Sequence, residues 1–309
     1  AEIVTVGEMS STSIENCYDY AGEKTGELSM VFSFHHLKVD FMGNEKWVLV
    51  PADFRKLKHI LFEWQTKMEA HHAWNALFWC NHDQPRVVSR FGDEGKYWKE
   101  SAKMLATMIH LMRGTPYIYQ GEELGMANCV RRSIDDFDDI SSHGQYQRML
   151  EEGFSESEAL ALVNKRSRDN SRTPFPWNSS EYGGFSKVKP WLGMIENYEE
   201  INAEAQIGKE DSIYEFYKKM IGLRQNSSYS ECLIYGNITA INTENDEVIA
   251  YTRESGNETI YCYFNFGQNS VFEPLNIKSK KVIFNNLKEV EINEDGIILK
   301  PNQALLITI

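Results

Sequence analysis

The segment Phe78 to Arg86, FWCNHDQPR, ends an aromatic and aliphatic run on Asn81, His82 and Asp83, just before Pro85. A buried strand that closes on three polar residues sets them at its carboxyl end, where parallel α/β sheets bind ligands and carry out chemistry. Glu8 ends an earlier run, IVTVGE, between Gly7 and Met9. These apolar neighbours would desolvate the acid and favour its protonated form near neutral pH. Two carboxyl groups at strand ends suit general acid/base work. The plainer alternatives are a helix-capping or salt-bridged Glu8 and a His82-Asp83 pair that shapes the turn before Pro85. A third group, His35, His36 and Lys38 in FHHLKV, follows the next strand. Imidazoles beside an ammonium suit a phosphate, with metal binding or core histidines as the alternatives. Neighbouring residues of a strand face opposite sides, which disfavours joint metal ligation by both histidines.

The elements that must position these residues are readable from periodicity. After IVTVGE come a short helix near 13–20 and the strand LSMVFSFHH. An amphipathic helix over 52–68 follows, with Phe54, Leu57, Ile60, Leu61 and Trp64 at helical spacing. The strand NALFWCNHD, a helix over about 96–112 stopped by Gly114 and the strand TPYIYQGEE come next. Loops and helices fill 125–211, where SIDDFDD reads as a helix cap rather than a calcium loop and EEGFSESEALALVNKRSRD as an acidic helix pair. The helix SIYEFYKKMIGLRQ closes this part. From about residue 228 the texture changes to short alternating segments, VIAYTRES, TIYCYFNF, KKVIFNN and ALLITI, which predict a small antiparallel β-sandwich. The expected division is therefore 1–227 and 228–309. Four strand-helix units cannot close a barrel that needs eight, and they would leave two apolar edges unpaired. The first part is expected to be the second half of a (β/α)8 barrel, and an amino-terminal half is expected to complete it.

Composition sets the limits. The chain has 309 residues, 42% hydrophobic and 25% charged, with a net charge of −13, which is ordinary for a soluble globular protein. The acidic balance argues against nucleic acid and anionic membranes as partners, so an anionic ligand would need a local basic pocket. No run approaches a membrane span, no secretory leader is recognisable, and a cytoplasmic location is expected. Cys17, Cys80, Cys129, Cys232 and Cys262 are scattered without a CxxC pair and read as free thiols.

Several strand ends in one order carry a more specific resemblance. TVGE at Glu8, NHDQPR, GTPYIYQGEELGM and KRSRDNSRTPFPW together resemble glycoside hydrolase family 13, the α-amylase family, and its α-glucosidase branch. The resemblance runs over essentially the whole chain. Within that branch TVGEMSSTSIENC, FSFHHLKVDF and NHDQPR are most similar to the trehalose-6-phosphate hydrolases. The resemblance implies retaining hydrolysis of a sugar or sugar phosphate, here trehalose 6-phosphate to glucose and glucose 6-phosphate, with no cofactor and no metal. Glu8 would be the general acid/base and Asp83 the carboxylate that stabilises the oxocarbenium-like transition state. His82 would bond a hydroxyl of the same ring, Arg172 would reach the non-reducing glucose, and Lys38 with His35 or His36 would contact phosphate or the leaving glucose. Arg168 and Asp169 would brace their loop as an ion pair, and Glu122 and Glu123 would be structural. The family's nucleophilic Asp, in a GFRxD-type motif, has no counterpart in this sequence, so the chain alone is expected to be inactive. The alternatives are an α-glucosidase for neutral isomaltose-type oligosaccharides and a non-catalytic interaction protein of the same fold.

Overall fold

The computed structural model describes residues 3–24, 26–275 and 281–308. Ala1, Glu2, Lys280 and Ile309, which the sequence reading included in strands, lie outside the described residues. β1 (Val6–Met9), β2 (Met30–Ser33), β3 (Asn75–Leu77) and β4 (Thr115–Pro116) form one parallel sheet in sequential order. Its register sets Glu8 opposite Phe32, Phe32 opposite Ala76, and Ala76 opposite Thr115. Parallel neighbours need crossovers. They are supplied by α1 (Ile14–Ala21) after β1, α2 (Phe54–Ala70) after β2, and α3 (Val87–Phe91) with α4 (Trp98–His110) after β3.

Local chemistry accounts for the helix starts. The side chains of Ser13 and Asp53 accept from the backbone N–H of Asn16 and Lys56, satisfying donors left open at the first turns of α1 and α2. α2 buries Leu57, Leu61, Trp64 and Met68, the stripe its spacing predicts. α4 is buried all along Ser101 to His110, because the sheet lies on one side and the carboxyl-terminal strands on the other. Gly114 turns the chain into β4 at φ 146°, where a Cβ would sit 2.6 Å from the Asn75 carbonyl oxygen. Only glycine lets the two backbones approach so closely.

Three expectations need correction. The run FSFHH does not stay extended: after Ser33 the chain tightens into a one-turn 3₁₀ helix at His35–Lys38. β3 and β4 pair over fewer residues than their hydrophobic runs suggested, since Pro116 brings no N–H to the ladder. The helix α3 follows the NHDQPR turn without having been expected.

After β4 come α5 (Ile140–Glu151) and α6 (Glu156–Arg166), which pack on each other through Tyr146, Met149, Leu162 and Val163. Asp139 caps α5, and Ser133 and Asp136 form a capping box, so the acidic run serves helix starts. α7 (Ala203–Gln206), α8 (Ile213–Asn226) and α9 (Ser230–Tyr235) lead into the last region. There β5 (Asn237–Ala240), β6 (Val248–Ser255), β7 (Glu258–Asn265), β8 (Val271–Pro274), β9 (Lys281–Asn285), β10 (Glu291–Ile292), β11 (Gly296–Leu299) and β12 (Ala304–Thr308) build two antiparallel sheets, ordered β5-β6-β7-β12-β9 and β10-β11-β8. Val248, Ala250, Ile297, Leu299, Leu305 and Ile307 fill the space between them. The alternate residues Ile249, Tyr251, Cys262, Phe264 and Leu306 join the core of the α/β part, the two-sided use that strand alternation allows. The five cysteines are buried free thiols. No helix among the described residues is long and apolar enough to cross a membrane.

Candidate active site

The loop after β3 is held by short-range geometry. Asn81 Oδ1 accepts from the Asp83 N–H at 2.8 Å, a side-chain-closed turn that fixes the next three residues. Asp83 Oδ1 then accepts from Arg172 Nη2 at 2.8 Å and Arg168 Nη1 at 3.1 Å, while His82 Nε2 stands 3.4 Å from its other oxygen. Arg172 Nε also donates to the His82 carbonyl oxygen at 2.9 Å. The structure thus brings His82, Asp83 and Arg172 together. Arg168 does not pair with Asp169, as the sequence reading supposed; it bridges Asp83 and the buried Asp139, the latter at 2.7 Å. Burial would raise the Asp139 carboxyl, but Arg168 and the Ser142 hydroxyl outweigh it and hold the group below the usual range. Asp169 instead accepts the backbone N–H of Asp138 and Asp139.

Asp83 forms part of the wall of a cavity of about 170 Å³ whose other polar lining is Lys38, Lys46, Gln84, Arg90, Arg166 and Ser10. Four cations around one small space are unexpected in a chain of net charge −13. Behind them Asp40 accepts from Arg90 Nη2 at 2.6 Å and Arg166 Nη1 at 2.5 Å. Burial pushes the Asp40 carboxyl up, and the two guanidiniums more than reverse this. Lys38 and Lys46 are both drawn down by burial, so an anion entering the cavity would relieve a desolvated charge.

Glu8 lies elsewhere on the same sheet end. It lines an adjacent cavity of about 150 Å³ with Phe32, Phe78, Asn81, Tyr117 and Tyr119. The two carboxylates therefore line neighbouring spaces rather than one. Glu8 is exposed, because β1 is an edge strand of the sheet. The desolvation expected from Gly7 and Met9 is not provided within the described residues.

Neither histidine lines the cavity with Lys38, although the Lys38 charge is close enough to add to the downward shift of His35. His36 is buried in the core, its Nε2 is 2.9 Å from the Phe78 carbonyl oxygen, and burial lowers its pKa to about 4. His35 packs on the Trp64 ring at 5.1 Å with Nδ1 on the Ser33 hydroxyl, also shifted down by burial. The 3₁₀ turn explains both: it aims the imidazoles into the helix layer while Lys38, one turn on, faces the cavity. Of the alternatives weighed for this cluster, the core-histidine one holds for His36. Lys46, Arg90 and Arg166 were missed. Their only signal was their nearness in sequence to FHHLKV, NHDQPR and KRSRDNSR.

A parallel α/β sheet with its polar cluster beyond the carboxyl ends of the strands has the arrangement in which α/β barrels carry their active sites. Residues 1–236 match the model of the alpha amylase catalytic domain, and the chain belongs to the α-amylase family. It is 49% identical over 263 residues to the trehalose-6-phosphate hydrolase of Bacillus subtilis (strain 168), a match covering 85% of this chain and 46% of that protein. It is 41% identical over 310 residues to the oligo-1,6-glucosidase of Bacillus cereus, covering 99% of this chain and 55% of that protein. The crystal structure of Bacillus licheniformis trehalose-6-phosphate hydrolase superposes with a TM-score of 0.94 at 44% identity, covering 99% of this chain and 56% of that one. The chain spans about half the length of the curated relatives it matches.

Proposed function

We propose that the complete protein carrying this chain is a retaining α-glucosidase that hydrolyses trehalose 6-phosphate to glucose and glucose 6-phosphate. The observation that carries the phosphate preference is the cavity beside Asp83, where Lys38 and Lys46 face in and Arg90 and Arg166 form the wall. A dianionic phosphate would meet two ammonium groups there at little further desolvation cost. On this reading Glu8 donates the proton to the glycosidic oxygen and later takes one from water, and Asp83 lies against the developing positive charge at the anomeric carbon. Arg168 and Arg172 orient Asp83, and His82 meets a ring hydroxyl. The attacking carboxylate comes from outside the described residues. Residues 1–227 then form half of a (β/α)8 barrel and 228–309 the β-domain. The exposure of Ile3, Val4 and Val6 beside the unpaired edge of β1 supports completion by further strands. An imported phosphosugar as substrate makes the cytoplasm the expected location.

The oligo-1,6-glucosidase relatives, matched over nearly the whole chain, favour a second reading, hydrolysis of neutral α-1,6-linked oligosaccharides. Lys46→Ala in the complete protein separates the two. If phosphate is bound, KM for trehalose 6-phosphate rises about 10-fold or more, as for loss of a charge-assisted contact, while KM for p-nitrophenyl α-glucoside changes little. Equal changes for both substrates would count against a phosphate site.

A further inference from the structure

Glu122 stands on a one-turn 3₁₀ helix at Glu122–Leu124, directly after the β4 loop. It is 4% exposed, and neither carboxyl oxygen has a hydrogen-bond partner. Such an orphan is costly and calls for an explanation. Next to it lies Arg86, 1% exposed, which has a donor on each of three carbonyls: Nε on Asn170, Nη1 on Gln120 and Nη2 on Ser171. Arg86 thereby ties together the His82–Asp83 loop, the loop after β4 and the 168–172 segment that supplies Arg168 and Arg172. A carboxylate beside it would compete for those donors; a neutral carboxylic acid would not.

We propose that Glu122 is a proton-carrying positioning residue: uncharged, it leaves Arg86 free to hold the segments around Asp83, and on losing its proton it draws Arg86 away and loosens them. The charged or titratable groups facing it are Cys80, Arg86, Glu123 and Tyr217. Burial raises the Cys80 thiol and the Tyr217 hydroxyl well above their usual values. Burial also raises Glu123, whose Oε2 accepts the Gly121 N–H at 2.7 Å. Burial pushes Glu122 itself up to about 8, outweighing the opposing pull of the Cys80 thiol and backbone and of the nearby Arg86 charge. Glu122, rather than the Cys80 thiol or the Tyr217 hydroxyl, is therefore the group placed to titrate at mildly alkaline pH.

The inference rests on the proposed glucosidase reading for its kinetic consequence, but its physical core does not need substrate. A carboxyl whose folded pKa lies above its unfolded value stabilises the fold at acid pH, and that contribution is lost as pH rises to the folded pKa. Thermal melts of the complete protein should then show Glu122→Gln gaining on the parent as pH rises from about 5 to about 8, with a constant difference above. The infrared carbonyl band of a protonated, buried carboxylic acid should vanish in the parent with a midpoint near pH 8, about the value burial gives the group. If Glu122→Gln does not fold, this titration of the parent still decides the protonation state. In kcat/KM the parent should lose activity above that midpoint, and Glu122→Gln should keep it. A melting difference that does not vary with pH, an absent band, or an alkaline limb retained in Glu122→Gln would each overturn the proposal. If no glucoside is cleaved at all, the function reading fails, and the melts and the infrared titration still judge Glu122.

Discussion

Replacing Asp40 with Asn removes the one negative charge between two buried guanidiniums that wall the basic cavity. The side chains of Asp40, Arg90 and Arg166 are 8, 4 and 5% exposed, and each carboxylate oxygen holds one arginine. Charges about 4 Å apart at an effective dielectric constant of about 20 attract by about 4 kcal/mol per pair. Asn forfeits both attractions and leaves two like charges facing each other. Relief from burying a carboxylate gives back several kcal/mol, so the expected net loss is about 3–5 kcal/mol, the usual cost of breaking a buried pair from one side. Arg166→Met is the contrasting change. It leaves Asp40 and Arg90 as a neutral pair and strips donors from the carbonyls of Asp40 and Val48, at about 1–3 kcal/mol. Urea unfolding at neutral pH measures both. Because the folded Asp40 carboxyl lies below its ordinary value, its contribution is present above about pH 4 and fades as pH falls further, and Asp40→Asn should flatten that acid limb. The reasoning fails if Asp40→Asn unfolds at the parent's midpoint, or costs less than Arg166→Met.

Two other substitutions probe how the parts are joined. Arg253, 0% exposed on β6, donates to the carbonyls of Leu111, Leu233 and Gly236 at 2.6 to 2.7 Å. Arg253→Met would leave two of them without that partner, since Leu233 keeps Arg224. A loss of about 2–4 kcal/mol is expected, seen as a lower Tm and faster proteolysis of the β-domain; an unchanged melt would rule out the role as a tie between the two parts. His36 is neutral in the fold because burial brings its pKa to about 4, against about 6.5 when unfolded. Its contribution is present above pH 6.5 and is lost as pH falls toward 4, by up to about 3 kcal/mol. His36→Gln should reduce this slope in a pH series of melts, and an identical slope in both proteins would refute the assignment.

Much of the scaffold was legible. Amphipathic spacing gave α2, the alternating segments gave much of the antiparallel sheets, and polar residues closing apolar runs marked Glu8 near the end of β1 and His82 and Asp83 in the loop that follows β3. These are local signals, written within a few residues of the side chains they describe. His35 and His36 were misjudged because a strand and a 3₁₀ turn share the same short apolar run, and packing against Trp64 and Phe78 chose between them. Arg168 was given the wrong partner because Asp169 was adjacent in sequence, whereas Asp139 was adjacent in space.

The sequence by itself determined most of the elements, their order and the family resemblance, because periodicity and capping act over one or two turns of chain. Only the tertiary structure decided which cations share a cavity, which carboxyl group is buried without a partner, and which arginine holds which loop. Arg166 meets Asp40 across 126 positions. Contacts of that span depend on how the helices pack on the sheet, and charges gathered in one low-dielectric space influence one another far more strongly than their spacing along the chain reveals.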